Sequence, residues 1–287
     1  MHRERHVPAV RRTEVCANCP CPATGQAWYP SRVVYRVLKM LLTPVFHLLW
    51  RVKVEGAEHI PAEGPVVLAP NHVTFLDSFF LPLVVSRRVT FVAKAEYFDS
   101  WKTAWFFRAV GQIPMRREGG SASERALAAA REVLEGGGVL GIYPEGTRSP
   151  DGRLYRGHTG VARLALGCKV PVVPVGLVGT SDVQRPGSNL PRPFKKVTVR
   201  FCAPLDIARF AGDAAGDPLA LRALTDELMF EIRQLTGQEY VDRYAKKHSV
   251  VGGADVATVP PAPTVDDEQP MPPAPTPVTA SSSSTAA

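Results

Sequence analysis

The chain has 287 residues, 45% of them apolar, and carries 34 Lys and Arg against 27 Asp and Glu, for a formal net charge of +7. This is the composition of a packed globular protein, long enough for one large domain or two small ones. Positive charge points to an anionic partner without naming it. With no aromatic–basic interleaving and no recognisable recognition module, it does not make a nucleic-acid binder.

Residues 1–30 read as a disordered basic arm. They hold charges and scattered prolines instead of an apolar core behind a basic start, so no secretory signal is expected and the protein is expected to stay on the cytoplasmic side. Cys16, Cys19 and Cys21 form C-x2-C-x-C, and with His2 or His6 they would number enough ligands for zinc. That spacing is not a standard knuckle, and free thiols in a mobile arm are the simpler reading, so no metal is expected. Cys168 and Cys202 lie in apolar runs and read as core.

Residues 31–52 read as an amphipathic interfacial helix. Arg32, Arg36, Lys39, Thr43, His47 and Arg51 recur at steps of three or four, one basic stripe on an otherwise apolar cylinder. Spanning a bilayer would place Arg36 and Lys39 in hydrocarbon at about 2.5–3.5 kcal/mol each, and Pro44 is expected to interrupt the helix. Lying in the interface avoids that cost, with basic residues among anionic headgroups. The alternative is a helix packed on the protein's own core with its stripe in water.

From 53 to 248 short apolar runs alternate with helical patterns. Strands are expected at 65–69, 89–93, 139–143, 170–178 and 197–202. A helix is expected over 121–135, where Ser121 and Glu124 have capping-box spacing and three glycines follow. A second, over 158–166, is stopped by Gly167; a third starts at Asp217 and Pro218 and ends before Gly237. Such alternation predicts an α/β fold, a sheet flanked by helices with functional residues in the loops beyond strand ends. Residues 249–287, rich in Pro, Ala, Ser and Thr and without an aromatic residue, read as a disordered tail.

Three loops carry candidate chemistry. In "PNHVTFLDSFFLP", residues 70–82, His72 follows a strand and Asp77 stands five positions on. Within one helix the two side chains would not meet, but with His72 in the loop and Asp77 in the first turn of a helix they can. A carboxylate on one imidazole nitrogen fixes the tautomer and makes the other a base. No Ser or Cys stands out as a nucleophile, which favours direct proton abstraction from a substrate hydroxyl. In "GQIPMRRE", residues 111–118, Gly111 and Pro114 shape a turn, and Arg116 and Arg117 are either a surface pair or a phosphate site. In "YPEGTRS", residues 143–149, Gly146 permits close approach of a ligand, Arg148 suits an anion, and Glu145 either accepts from a hydroxyl or orients Arg148. A plain turn with a surface Glu–Arg pair is the bland reading of that loop. Alone, each block is weak evidence; together they describe an enzyme for a substrate with a hydroxyl, a phosphate and a lipid tail.

The order N-H-x4-D, G-x-I-x-x-x-R, [FY]-P-E-G-T-R-S and V-P-V-V-P-V, over about residues 53–205, resembles the glycerolipid acyltransferase superfamily, specifically the bacterial 1-acylglycerol-3-phosphate acyltransferases. That resemblance implies a mixed, mostly parallel sheet flanked by helices. It implies His72 as general base and Asp77 as its orienting partner, with Arg117, Glu145, Gly146, Thr147 and Arg148 on the acceptor's phosphate and glycerol. Lys94, in a K-x-E segment, is a further phosphate candidate, and Pro174 would line the acyl side. It implies acyl-CoA or acyl-carrier protein as co-substrate, lysophosphatidic acid as acceptor, no cofactor and no metal, on the cytoplasmic face of the cell membrane, peripheral or monotopic. Thr74 stands where the family often has Ser, and Pro114 and Arg116 replace an aromatic and an acidic residue, which bears on acceptor choice. Another lyso-lipid or glycolipid acceptor, or an inactive lipid-binding scaffold, are the alternatives.

Overall fold

A computed structural model of the chain describes residues 32–94, 112–115, 121–185, 188, 190–210 and 216–245. The expectations for the arm at 1–30, its cysteines, Arg116, Arg117 and the tail at 249–287 lie outside the described residues.

Nine strands are described: β1 (Arg51–Glu55), β2 (Val66–Pro70), β3 (Val89–Lys94), β4 (Ile113–Met115), β5 (Val139–Gly141), β6 (Leu154–Tyr155), β7 (Val172–Val178), β8 (Lys196–Phe201) and β9 (Tyr240–Val241). Seven of them form one sheet in the order β1-β8-β7-β2-β5-β3-β4, and β6 pairs with β9 beside it. All neighbours are parallel except β7 and β8. The expected mixed, mostly parallel sheet is therefore present, with β1 and β8 running against the other five.

Helices cover both faces: α1 (Arg32–Leu49), α2 (Asp77–Val84), α3 (Ser121–Glu135), α4 (Gly160–Cys168), the short α5 (Thr180–Val183) and α6 (Pro218–Thr236). Buried through its length, β2 alternates between two apolar clusters. Val66 and Leu68 pack with Phe46 of α1 and Phe80 of α2. Val67 and Ala69 pack with Leu134 of α3, Leu164 of α4 and Leu228 of α6. This is the pattern of a central strand with both faces covered, where side chains of successive residues point to opposite sides. In α6 the Asp217 carboxylate accepts from the amides of Leu219 and Ala220 at 3.0 and 3.3 Å, and Gly237 closes the helix at φ 70°.

Several local expectations are corrected. Pro44 sits inside α1 and does not end it. It removes one amide, and the carbonyl four residues back belongs to Met40, on the exposed side. The helix α4 runs past Gly167 to Cys168, and Lys169, not the glycine, takes the left-handed turn at φ 55°. Pro114 belongs to β4, not to a turn; on an edge strand its missing N–H leaves no partner unsatisfied in a central ladder. Cys168 and Cys202 are half-buried, not core.

The circumference of α1 divides differently from a simple stripe. Tyr35 and Phe46, with Trp50 just past the end of the helix, are buried against the sheet domain, and the Lys39 ammonium turns inward to donate to the Val85 carbonyl. Val33, Val37, Met40, Leu41, Val45 and Leu48 face outward and are exposed. Both faces are apolar, which is why the apolar arc is wider than packing alone needs. Among the described residues no helix is long and apolar enough to cross a membrane.

The chain leaves β2 through α2 toward β3, on the far side of β5, while β5 leads through α4 back past β2 to β7. Loops from two neighbouring strands thus part in opposite directions at their carboxyl ends, the place where open α/β sheets form a ligand crevice.

Candidate active site

At that crevice His72 and Asp77 meet. His72 is in the loop after β2 and Asp77 opens α2, so the five-residue spacing closes on itself. Nδ1 of His72 lies 3.1 Å from Oδ2 of Asp77, with the imidazole 14% and the carboxylate 0% exposed. A carboxylate only accepts, so Nδ1 carries the hydrogen and Nε2 is the basic nitrogen. Asp77 Oδ2 also accepts from the amides of Val73 and Thr74, each at 2.7 Å, and Oδ1 from the Thr74 hydroxyl at 2.9 Å. The loop is wrapped around this carboxylate. Thr74 keeps the hydroxyl that the position calls for.

The backbone of His72 is held from both sides by the loop after β5. Its amide donates to Glu145 Oε1 at 2.9 Å, and its carbonyl accepts from the Ser149 amide at 2.7 Å. Glu145 Oε2 accepts from the Tyr155 amide at 3.1 Å. Glu145 is 1% exposed, so neither role expected for it, on a substrate hydroxyl or on Arg148, is the one its bonds show. Its carboxyl turns inward to accept from two amides, one in the loop at His72 and one in β6 at Tyr155, for which it supplies the acceptor. Burial pushes Glu145 up to about 8, against the lowering pull of the two amides and with the charges of Asp77 and Asp151 adding to the rise.

Tyr143 and Asn71 lie inside the quoted motifs, yet the motifs assign neither of them a role beside His72. The Tyr143 ring stacks on His72, and its hydroxyl shares a 2.9 Å hydrogen bond with Ser78. Burial first, then the charge of Asp77, raises the Tyr143 phenol well above its ordinary range, so it stays neutral. Buried Asn71 accepts from the Leu177 amide at 2.7 Å and donates to the Leu177 carbonyl at 3.1 Å, clamping β7 to the loop of His72. It also donates to Gln238 Oε1 at 2.9 Å, and Gln238 donates to the Gly152 carbonyl at 2.6 Å. Asn71 and Tyr143 were visible as the residues preceding H-x4-D and PEGTR; Gln238, far along the chain, had no signal.

Gly146 has φ 69°, and a Cβ there would lie 3.0 Å from the His158 ring, so only glycine suits the turn. Thr147 is half-buried, and Arg148 is exposed with no carboxylate bonded to it among the described residues. Because Ser149 bonds the His72 carbonyl, the Arg148 backbone stands one residue from the base. Lys94 ends β3, and its side chain, like all of Arg117, lies outside the described residues. Pro174 is buried in mid-β7, opposite Ala69, inside the sheet. Among the described residues no three His, Cys, Asp or Glu converge as metal ligands.

Residues 51–178 match the family model described as Acyltransferase. The chain is 29% identical over 162 residues to 1-acyl-sn-glycerol-3-phosphate acyltransferase LPAT1, chloroplastic, of Arabidopsis thaliana, a match covering 56% of this chain and 45% of that one. It is 29% identical over 206 residues to the 1-acyl-sn-glycerol-3-phosphate acyltransferase of Bacillus subtilis, covering 70% of this chain and 96% of the relative. It thus spans about half the length of the plant relative and nearly all of the bacterial one. Among solved structures it is similar to the 1-acyl-sn-glycerophosphate (LPA) acyltransferase PlsC of Thermotoga maritima, with 27% identity and a TM-score of 0.57, covering 70% of this chain and 79% of that one.

Proposed function

We propose, from the match of residues 51–178 to the acyltransferase family model, that the chain transfers an acyl group from acyl-CoA or acyl-carrier protein to the sn-2 hydroxyl of 1-acyl-glycerol-3-phosphate, giving phosphatidic acid. The observation that carries the reading is the clamp on His72: Asp77 on its ring, and Glu145 and Ser149 of the EGTR loop on its backbone. Base and acceptor loop form one unit. The names of the Arabidopsis and Bacillus relatives support the acceptor.

In the step, Nε2 of His72 takes the proton of the sn-2 hydroxyl as its oxygen attacks the thioester carbonyl. Asp77 holds the imidazolium that forms. The tetrahedral intermediate collapses with loss of the thiolate, which takes the proton back from Nε2. Arg148, exposed beside the base, binds the acceptor phosphate. No cofactor enters. The outer face of α1 lies on an anionic membrane, supported by its exposed Val37, Met40, Leu41 and Leu48. Since the thioester donors are cytoplasmic metabolites, this is the cytoplasmic face of the cell membrane.

The test is thiol release by the purified full chain with liposomes, oleoyl-CoA or oleoyl-carrier protein, and a panel of lyso-acceptors. Preference for lysophosphatidic acid supports the reading. Preference for another lyso-lipid or a glycolipid moves the acceptor, and lipid binding without thiol release overturns the enzyme.

A further inference from the structure

The segment 190–196, which follows α5 and ends on the first residue of β8, presents two large apolar side chains to solvent. Leu190 is 78% and Phe194 70% exposed, among the most exposed apolar residues of the described chain. Their exposure is built in. The Arg192 amide donates to the Val183 carbonyl at 2.7 Å, the Trp50 indole donates to the Arg192 carbonyl at 2.7 Å, and the Phe194 amide donates to the Leu49 carbonyl. Just beyond, the Arg51 amide donates to the Lys195 carbonyl at 2.9 Å. Phe194 itself has φ 60°, a left-handed backbone that aromatic residues seldom adopt. A fastened backbone holding an aromatic ring outward in an unfavoured conformation calls for something that covers the ring.

Charge identifies that occupant. Arg185, Arg192, Lys195 and Lys196 lie within this stretch, and no acidic residue occurs from 185 to 196. The helix beside it is similar: no acid occurs from 32 to 54. The exposed Leu48 directly precedes Leu49, whose carbonyl takes the Phe194 amide, so the outer face of α1 and this segment adjoin. Pairing with a second copy of the same surface would set these cations against themselves. Apolar side chains ringed by Lys and Arg match the boundary between acyl chains and anionic headgroups.

Topology gives the patch a purpose. Because β8 runs against β7, with Thr198 opposite Val178, the start of β8 lies at the end of the sheet where β7 finishes. Arg51 pairs with Lys196, which puts the junction of α1 and β1 there too. That is the end where β2 and β5 release the loops of His72 and Glu145.

We propose that residues 190–196 form a second bilayer contact beside the outer face of α1, in which Leu190 and Phe194 enter an anionic lipid surface and turn the catalytic edge of the sheet toward it. The proposal extends the membrane-acyltransferase reading, but lipid contact by this segment is measured without any turnover. Sedimentation of the full chain with vesicles of phosphatidylcholine, alone or mixed with phosphatidylglycerol, is compared for wild type, Leu190→Ser/Phe194→Ser and Lys195→Glu/Lys196→Glu. Both pairs are exposed, so the melting temperature should barely move. The serine pair is expected to lower partition into anionic vesicles by about ten-fold or more, and the glutamate pair to abolish the preference for phosphatidylglycerol. A second readout compares thiol release with a short-chain lysophosphatidic acid dispersed as monomers, where the serine pair should match wild type, and with acceptor held in vesicles, where it should fall with partition. Unchanged partition overturns the proposal. So does an effect confined to acyl-carrier protein as donor, which would make this a carrier-docking site, or a change in self-association without lipid. Absence of thiol release from wild type with every acceptor would instead sink the enzymatic reading and leave the partition result standing.

Discussion

The imidazole of His72 lies flat against the ring of Tyr143, with centroids 3.7 Å apart and planes 13° from parallel. Tyr143 is fixed in turn by its hydrogen bond to Ser78 and by Phe91, whose ring is 5.4 Å away. In the proposed acyl transfer this ring takes a proton, and it would then acquire its charge over an aromatic face, which attracts a cation by about 0.5–2 kcal/mol. Tyr143→Leu is expected to lower kcat by about ten-fold with little change in KM, while Tyr143→Phe keeps most of the rate. Steady-state kinetics on both variants checks this; equal losses would assign the effect to the hydroxyl and not the face.

Asp77 does two things at once, and they separate experimentally. Its carboxylate receives His72, two amides and the Thr74 hydroxyl inside the protein. Asp77→Ala leaves those donors buried without a partner, at about 1–3 kcal/mol each before relaxation. Both activity and melting temperature should fall. His72→Ala should spare the melting temperature, so a calorimetric scan of the two variants distinguishes them.

Glu145 makes stability depend on pH. Its folded value of about 8 lies above the ordinary 4.5, so the native state holds this proton more tightly than the unfolded chain. The contribution is complete below the ordinary value, declines as pH rises toward 8, and levels off above it, with a slope of up to about 1.4 kcal/mol per pH unit. Urea unfolding at successive pH values should show wild type losing stability across this window relative to Glu145→Gln, which is less stable at the acid end but has no such proton. Parallel curves would contradict the buried neutral carboxyl.

Arg148, exposed and without a carboxylate partner among the described residues, is the group expected to meet the acceptor phosphate. Arg148→Ala should raise the KM for lysophosphatidic acid by about ten-fold or more and change kcat little, as loss of a charged hydrogen bond made equally in ground and transition states does. Lysine should restore part of it, as a point charge in place of a fork. Inhibition by inorganic phosphate should weaken in parallel.

Much of the frame was legible because local physics wrote it. The β2 run, the Asp217–Pro218 start and Gly237 stop of α6, and α3 are short-range patterns, and the structure places them within a residue or two. Pro44, Pro114 and Gly167 misled because tertiary position decides what a breaker does: an exposed carbonyl, an edge strand, and a neighbour, Lys169, that took the turn. The meeting of His72 with Asp77 was legible from the loop-to-helix boundary. Glu145 was not, since its partners are backbone amides 73 and 10 residues away. Nor were the Tyr143 stack and the Asn71–Gln238 bond, which depend on strand order.

The central claim is that His72 is the base in acyl transfer to a lipid-borne hydroxyl. Thiol release from oleoyl-CoA in the presence of lysophosphatidic acid, compared for wild type and a His72→Ala protein of unchanged melting temperature, tests it most directly. The expected loss is about 10²–10⁴-fold. A folded His72→Ala enzyme that releases thiol at the wild-type rate would contradict it.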